Sequence, residues 1–360
     1  MLYINIIRVI GFTFRISSYI LLVVASCSPS NPSGYPRYGA FSGTDEVTVV
    51  ETALDSVYFR YPYRVEIGNG LAVLLDLHND SHYLYAFTYP DWQPVAPFGK
   101  RGEGPEELLS ADRVRLCSPD SVWVLDANRM QITRWSVDVP TRQVSRVETV
   151  SLDKRLLRTL DFCKTTNGFL VDDYTGEHRF HEIGMDGRII RSMGTIPTED
   201  EGKRKNPMAL AQAWRSFMDY DPQGGTLVLA TQLGEVVEIH NLKTGFHTVL
   251  YGPSGEPVFS SQGNEAFPKG IKGYNDVKVT DKYIYVTFDG ITFKEKYRQY
   301  ETGEKGLEGG QYLYVFDLQG NPVRSFHLNR SVFGLSVNEK EGIITCMTTD
   351  TDKPIVTLNL

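Results

Sequence analysis

The chain has 360 residues, 37 Lys and Arg against 44 Asp and Glu, a formal net charge of −7 and a hydrophobic fraction of 41%. The acid excess excludes a nucleic-acid partner, whose phosphates require a basic face. Only 4 cysteines are present, none close to another in sequence, which excludes a disulfide framework and a zinc knuckle.

At the amino end an apolar run from Tyr19 to Ala25 follows Arg15 and closes in Val24, Ala25, Ser26 and Cys27. A spanning helix needs about 20 apolar residues, so this short run behind a basic residue has the layout of a secretory leader. A thiol placed directly after small residues sits where a bacterial lipoprotein signal is cut and acylated. Each buried methylene contributes about 0.8 kcal/mol, so several chains on one cysteine form a permanent anchor. The expectation is a signal peptide over residues 1–26 and a mature chain held in the membrane through lipid on Cys27. An ordinary signal peptide with a chance cysteine is the alternative, and the partly apolar stretch Met1 to Phe14 leaves the translation start open. Removing residues 1–26 takes away two arginines and no acid, so 35 basic and 44 acidic side chains give a mature charge of −9. With no acidic residue directly after Cys27, the expected location is the outer membrane, the domain facing the periplasm or the surface.

Residues 27–44 include a stretch rich in Ser, Pro and Gly, read here as a flexible tether. The folded domain is expected over 45–360. There a block of short apolar strands and tight turns repeats. Leu71 to Phe87 and Ser121 to Trp135 are its clearest copies, with Asp76 and Asp126 at the bends. Outer turns follow at Met185 to Gly187, Leu242 to Gly245 and Leu318 to Asn321, where Gly and Asn supply the positive φ a hairpin requires. Six units are counted: 64–98, 113–150, 157–195, 214–250, 274–328 and a short sixth from Ser331. The sixth contains only three strands, and Val47 to Leu54 is expected to supply the fourth by pairing with Ile355 to Leu360. An open solenoid or two sandwiches is the alternative architecture. Helical periodicity is nearly absent apart from a turn at Ala209 to Ala213. Cys117, Cys163 and Cys346 read as small apolar residues on strands, with a Cys117 to Cys163 bridge left open.

Asp126, Asn128, Arg129 and Ile132 resemble the strand-bend-strand signature of NHL repeats. Phe98 to Leu108 and Gly273 to Gly290 resemble segments of the TolB-like six-bladed β-propeller lipoproteins of Gram-negative bacteria. The resemblance runs from about Asp45 to the end; it implies an all-β fold and export, and little about function.

In such a ring, connections between blades and those joining second to third strands emerge on one face. The long connections 99–112, 196–213, 252–273 and 289–310 all belong to it, so a ligand is expected there, at the channel mouth. Candidate contacts on the loop after blade 1 are Arg101, Glu103 and Glu106, although the same loop also reads as an ordered passage to blade 2. At the tops of inner strands lie Asp112, Arg113, Arg158, Trp214, Arg215, Tyr274, Asn275 and Asp276. Aromatic faces beside Arg and acids suit a sugar, a peptide end or an anionic group, or satisfy one another inside the channel. Asp76, Asp126, Asp172 and Asp289 read as bend caps.

No Gly-x-Ser-x-Gly elbow or HExxH pair occurs, and the seven histidines form no ligand motif; His178 and His181 are expected on opposite faces of a strand. Neither a cofactor nor a metal is implied by these patterns. The favoured function is a non-catalytic binding or scaffold lipoprotein for a protein or glycan partner. Its rival is a propeller hydrolase or lactonase using inner-strand acids to hold a divalent metal over the channel. The charged stretches Thr198 to Asn206 and Lys294 to Glu308 read as solvated loop.

Overall fold

The computed structural model describes residues 35–360 apart from 40, 55–56, 119–120, 305 and 307. The expected signal peptide, Cys27 and the first part of the tether lie outside the described residues.

Four antiparallel four-stranded sheets form blades 1 to 4. Blade 1 is Pro62–Gly68, Leu71–Asp76, His82–Thr88 and Pro94–Lys100. Blade 2 is Arg113–Ser118, Ser121–Asp126, Gln131–Asp138 and Gln143–Ser151. Blade 3 is Phe162–Lys164, Gly168–Asp172, Phe180–Gly184 and Ile189–Met193. Blade 4 is Ser216–Asp221, Thr226–Thr231, Val236–Asn241 and His247–Tyr251. The remaining eight-stranded sheet is two blades joined by one long strand, Pro322–Asn338. Its first part closes blade 5 after Tyr274–Val279, Tyr283–Phe288 and Gly310–Asp317. Its second part opens blade 6, followed by Ile343–Met347 and Ile355–Asn359.

The fourth strand of blade 6 comes from the amino end: Val50, Glu51 and Thr52 pair antiparallel with Thr357, Val356 and Ile355. Each inner strand touches the next around the axis, and that of blade 6 returns to that of blade 1. The ring is therefore closed and six-bladed, as the repeat count requires.

The core lies between blades. Along Leu71–Asp76, Leu71, Val73 and Leu75 pack toward blade 2 while Ala72 and Leu74 pack toward blade 6. Successive side chains leave a strand on opposite faces, and both faces here meet a neighbour, so the strand is apolar from Leu71 to Leu75. Each of the other blade interfaces has its own cluster of the same kind. Chain reversal within blade 1 uses Asn69 and Gly70 at φ 51° and 79°, the paired positive values of a two-residue hairpin turn.

Four expectations need correction. The tether does not stay free up to residue 44: Pro36 and Tyr38 exchange backbone hydrogen bonds with Tyr251 at 3.2 and 3.1 Å, and the Tyr38 ring is buried against Phe316 at 5.1 Å. Two aromatic residues, Tyr38 and Phe41, give this polar stretch enough apolar surface to dock. Asp45–Val47 then pairs in parallel with Phe326 to Leu328 on blade 5. The amino segment thus runs along the outer strands of blades 4, 5 and 6 in turn.

Helix is also more frequent than expected. Besides Pro207–Ala213, the insertion 289–310 contains Phe293–Thr302. Thr292 accepts a hydrogen bond from the Glu295 amide at 3.0 Å and Gly303 ends the helix at φ 67°. Caps rather than an apolar stripe define it, since it buries no residue. The loop 252–273 contains a hairpin, Phe259–Gln262 with Glu265–Pro268. The stretch 198–206 is tied down as well, Lys203 pairing with Glu256 at 2.9 Å.

Finally, His178 lies before its strand rather than in it, and its ring meets that of His181 at 5.7 Å. The three cysteines in the described residues are free.

Candidate functional site

The axis of the ring is filled by ion pairs. Arg113 reaches Asp276 at 2.9 Å and Asp161 at 3.2 Å, and Arg115 reaches Asp161 at 3.0 Å and Asp219 at 2.8 Å. Arg64 lies 3.7 Å from Asp276, and Lys278 holds Glu66 at 2.7 Å. Backbone amides add to this: Leu335 donates to Asp276 at 2.8 Å, Met218 to Asp161 at 3.0 Å and Val279 to Asp219 at 2.8 Å. Burial favours the protonated form of Asp276, but Arg113 and Arg64 reverse this and hold its carboxyl well below the usual range. Four acids in or directly before the inner strands, Glu66, Asp161, Asp219 and Asp276, thus meet four cations, Arg64, Arg113, Arg115 and Lys278. A divalent ion over the channel, as in the hydrolase alternative, would have to displace those cations.

The bend aspartates fix the connections above. Asp76 accepts the amides of Arg60 and Tyr61 at 2.8 and 2.9 Å, and Asp126 those of Leu109 and Arg129 at 2.8 and 2.9 Å. Asp172 does the same for Leu160 at 3.2 Å. In each case the end of a second strand anchors the chain entering the first strand of the same blade. The side chain costs little to bury because it replaces water with oriented N–H donors. Asp172 is the outlier: burial, and next the Asp161 carboxylate, push its carboxyl up to about 8.

The loop after blade 1 is ordered by its own residues. Arg101 donates to the Leu77 carbonyl at 2.8 Å and lies 4.0 Å over the Tyr83 ring. Glu107 takes the Gly104 amide at 2.9 Å and Lys100 at 2.6 Å. Glu106 pairs with Arg146 at 2.8 Å, and Glu103 is exposed. A side chain on Gly102 would place its Cβ 1.9 Å from Glu107 Oε2, so glycine lets this loop close.

The remaining predicted residues separate into two groups. Arg113 and Asp276 belong to the axial ion pairs; Asn275 lends its carbonyl to Arg64 at 2.8 Å. Tyr274 is buried, its hydroxyl 3.0 Å from that of Tyr38, which in turn donates to Glu235 at 2.6 Å. Asp112 accepts the Ala127 amide at 2.9 Å, and Trp214 is fully buried. Arg158 and Arg215 differ from these: both are exposed and line one cavity of about 430 Å³ on the long-loop face. Neither guanidinium has a hydrogen bond or ion pair within the described residues.

Three connections supply most of this cavity, and Tyr174 and Leu233 come from two more. Leu157, Arg158 and Leu160 come from the passage into blade 3, Met208 and Gln212 from the helix leading into blade 4 and Arg215 from the link between that helix and the strand, and Glu265, Ala266 and Pro268 from the hairpin before blade 5. Asn206 caps that helix by accepting the Ala209 amide, and proline follows at its first position. Gln212 accepts the Ala266 amide at 3.1 Å, locking hairpin to helix. Tyr174 contributes a buried hydroxyl without a hydrogen-bond partner in the described residues. Apolar walls with two cationic forks and one carboxylate are suited to holding an anionic group by charge-assisted bonds. Sequence reading found both arginines but missed Tyr174, Gln212 and the hairpin, whose roles depend on segments that are distant in the chain.

The architecture defines a six-bladed β-propeller with an ion-paired axis, closed by its amino segment. The chain belongs to the TolB-like 6-blade propeller-like family, whose model matches residues 40–340. Among solved structures, it is similar to a Bacteroides fragilis NCTC 9343 protein described as exported, at 11% identity and a TM-score of 0.57, over 89% of this chain and 98% of that one. A duf4221 family member from Bacteroides vulgatus is similar at 11% identity and a TM-score of 0.54, over 88% and 98%. No curated protein matches the chain by sequence.

Proposed function

We propose that this propeller is a non-catalytic binding module of the cell envelope, tethered by lipid on Cys27, that takes an anionic group of a protein or glycan partner into the long-loop cavity. One observation carries the reading: Arg158 and Arg215 line the same cavity with no hydrogen bond or ion pair of their guanidinium groups in the described residues, whereas the arginines on the axis are all engaged by acids. Exposed arginines left unpaired beside apolar walls bind carboxylates or phosphates with little reorganisation. Glu103 and the ordered loop around Arg101 and Glu106 form part of the same face and would meet the rim of a large partner. The leader pattern before Cys27, and the description of the Bacteroides fragilis relative as exported, support an envelope location. The outer membrane, with the domain in the periplasm or on the surface, is the placement we favour.

A photo-crosslinker at Met208, used in intact envelopes, tests the binding. The parent chain is expected to capture one specific partner, and the double variant Arg158→Ala, Arg215→Ala to lose it. Capture unaffected by that variant would overturn the reading. Cys27→Ser is expected to move the protein from the membrane to the soluble fraction.

A further inference from the structure

We propose that the outer hairpin of blade 4 carries a divalent-metal site, best suited to zinc, formed by Glu238, His240 and His247. Glu238 and His240 stand two apart on the strand Val236–Asn241 and so share one face; His247, the first residue of the next strand, is the direct cross-strand partner of His240. The two imidazoles lie 4.2 Å apart at 18°, and one ligand atom from each of the three residues falls within 4.8 Å of the others.

Unmet bonding points to a ligand. Glu238 Oε2 and His240 Nε2 face each other at 3.6 Å, on side chains 1% and 11% exposed, and neither atom has a hydrogen-bond partner in the described residues. A buried carboxylate oxygen and a buried ring nitrogen are each costly to leave unpaired. One cation between them would satisfy both. The other carboxylate oxygen, Oε1, accepts from Arg179 Nε of blade 3 at 2.7 Å, and Arg179 is itself held by Ser216 Oγ at 2.6 Å. That outer contact fixes the carboxylate so that Oε2 points at the histidines, the usual arrangement behind a metal ligand. The Phe180 ring meets the His240 ring edge-on at 5.1 Å, and His247 is exposed. A metal would therefore be reached from solvent past His247.

Two imidazoles and one carboxylate favour zinc over calcium or magnesium, which take oxygen ligands, and leave a coordination position for water. None of the three residues lines the long-loop cavity, so the site is independent of the binding function proposed above. Bound zinc would join the two outer strands of blade 4 beside blade 3.

The test is calorimetric titration of the purified, chelator-stripped chain with zinc chloride. One zinc per chain is expected for the parent and for the control His327→Ala. The exposed position of His247 makes His247→Ala safe for the fold, and it is expected to weaken binding at least about tenfold. Cobalt loading gives a second readout: visible bands of a low-coordinate site in the parent, absent in His247→Ala. No binding by the parent, or equal binding by His247→Ala, would overturn the proposal.

Discussion

Arg113 and Arg115 on one side, Arg158 and Arg215 on the other, carry the same guanidinium group to opposite ends. The first pair lies within an inner strand, where neighbouring strands supply Asp219 and Asp276, and the residue entering a third supplies Asp161, all within 3.2 Å. Arg215 precedes its inner strand by one residue and Arg158 by four, where connections rather than strands surround them. Convergence of strands about an axis forces charges to pair, because water is excluded and an unpaired ion there costs several kcal/mol. Connections diverge, and an arginine on them keeps its water until a ligand replaces it. Position along the strand, more than residue type, separates a structural ion from a binding one.

Breaking the axial pairing has the largest expected effect. Arg113→Ala leaves Asp276 and Asp161 short of a cation in a buried place, and a loss of about 3–5 kcal/mol is expected in urea unfolding. A loss under about 1 kcal/mol would mean the axis is wetter than the ion pairs imply.

Docking of the amino segment comes next. Tyr38→Ala removes a buried ring between blades 4 and 5 together with its bond to Glu235, and unfolding is expected to become easier by about 3 kcal/mol. Unchanged stability would return residues 35–41 to the role of a free tether.

Asp172 touches both regions, accepting the amide of the cavity residue Leu160 and facing the axial Asp161, and sharpens the comparison through pH. Its folded pKa of about 8 lies above the ordinary 3.8, so the folded state holds the proton more tightly than the unfolded one. Its stabilising share is complete below about pH 4 and is lost as pH rises through about 8. Asp172→Asn keeps an acceptor for the Leu160 amide and carries no charge. The variant is expected to gain stability over the parent at pH 9 and to match it near pH 4. Equal differences at both pH values in chemical denaturation would exclude a buried, protonated Asp172.

The smallest effect on stability is expected at the cavity. Arg158→Ala with Arg215→Ala should change unfolding by no more than about 0.5 kcal/mol while abolishing partner capture. For the parent, capture should weaken with added salt, since exposed charges are screened. A marked loss of stability in this variant would place the two arginines with the axial set.

Much of the fold was legible because a propeller repeats its local grammar. Alternating strands, aspartates at bends and glycines in outer turns located all six blades, and a three-stranded last unit required a partner from Val47 to Leu54, met by Val50–Thr52. The helix Phe293–Thr302 escaped since its signals are two caps, Thr292 with Glu295 and Gly303, and it buries no residue. His240 and His247 escaped for another reason. Seven residues apart, they match no ligand spacing, and only the register of the hairpin sets them opposite each other.

Sequence alone determined the number of units, the direction of closure and the face that bears long connections, because those follow from periodicity and turn chemistry within a few residues. Which arginine finds an acid, where Tyr38 docks and which residues enclose the cavity were decided by tertiary structure. Those contacts join segments more than 40 residues apart in the chain, as Arg115 with Asp161, Tyr38 with Glu235 and Gln212 with Ala266 illustrate, and no local pattern encodes the distance between them.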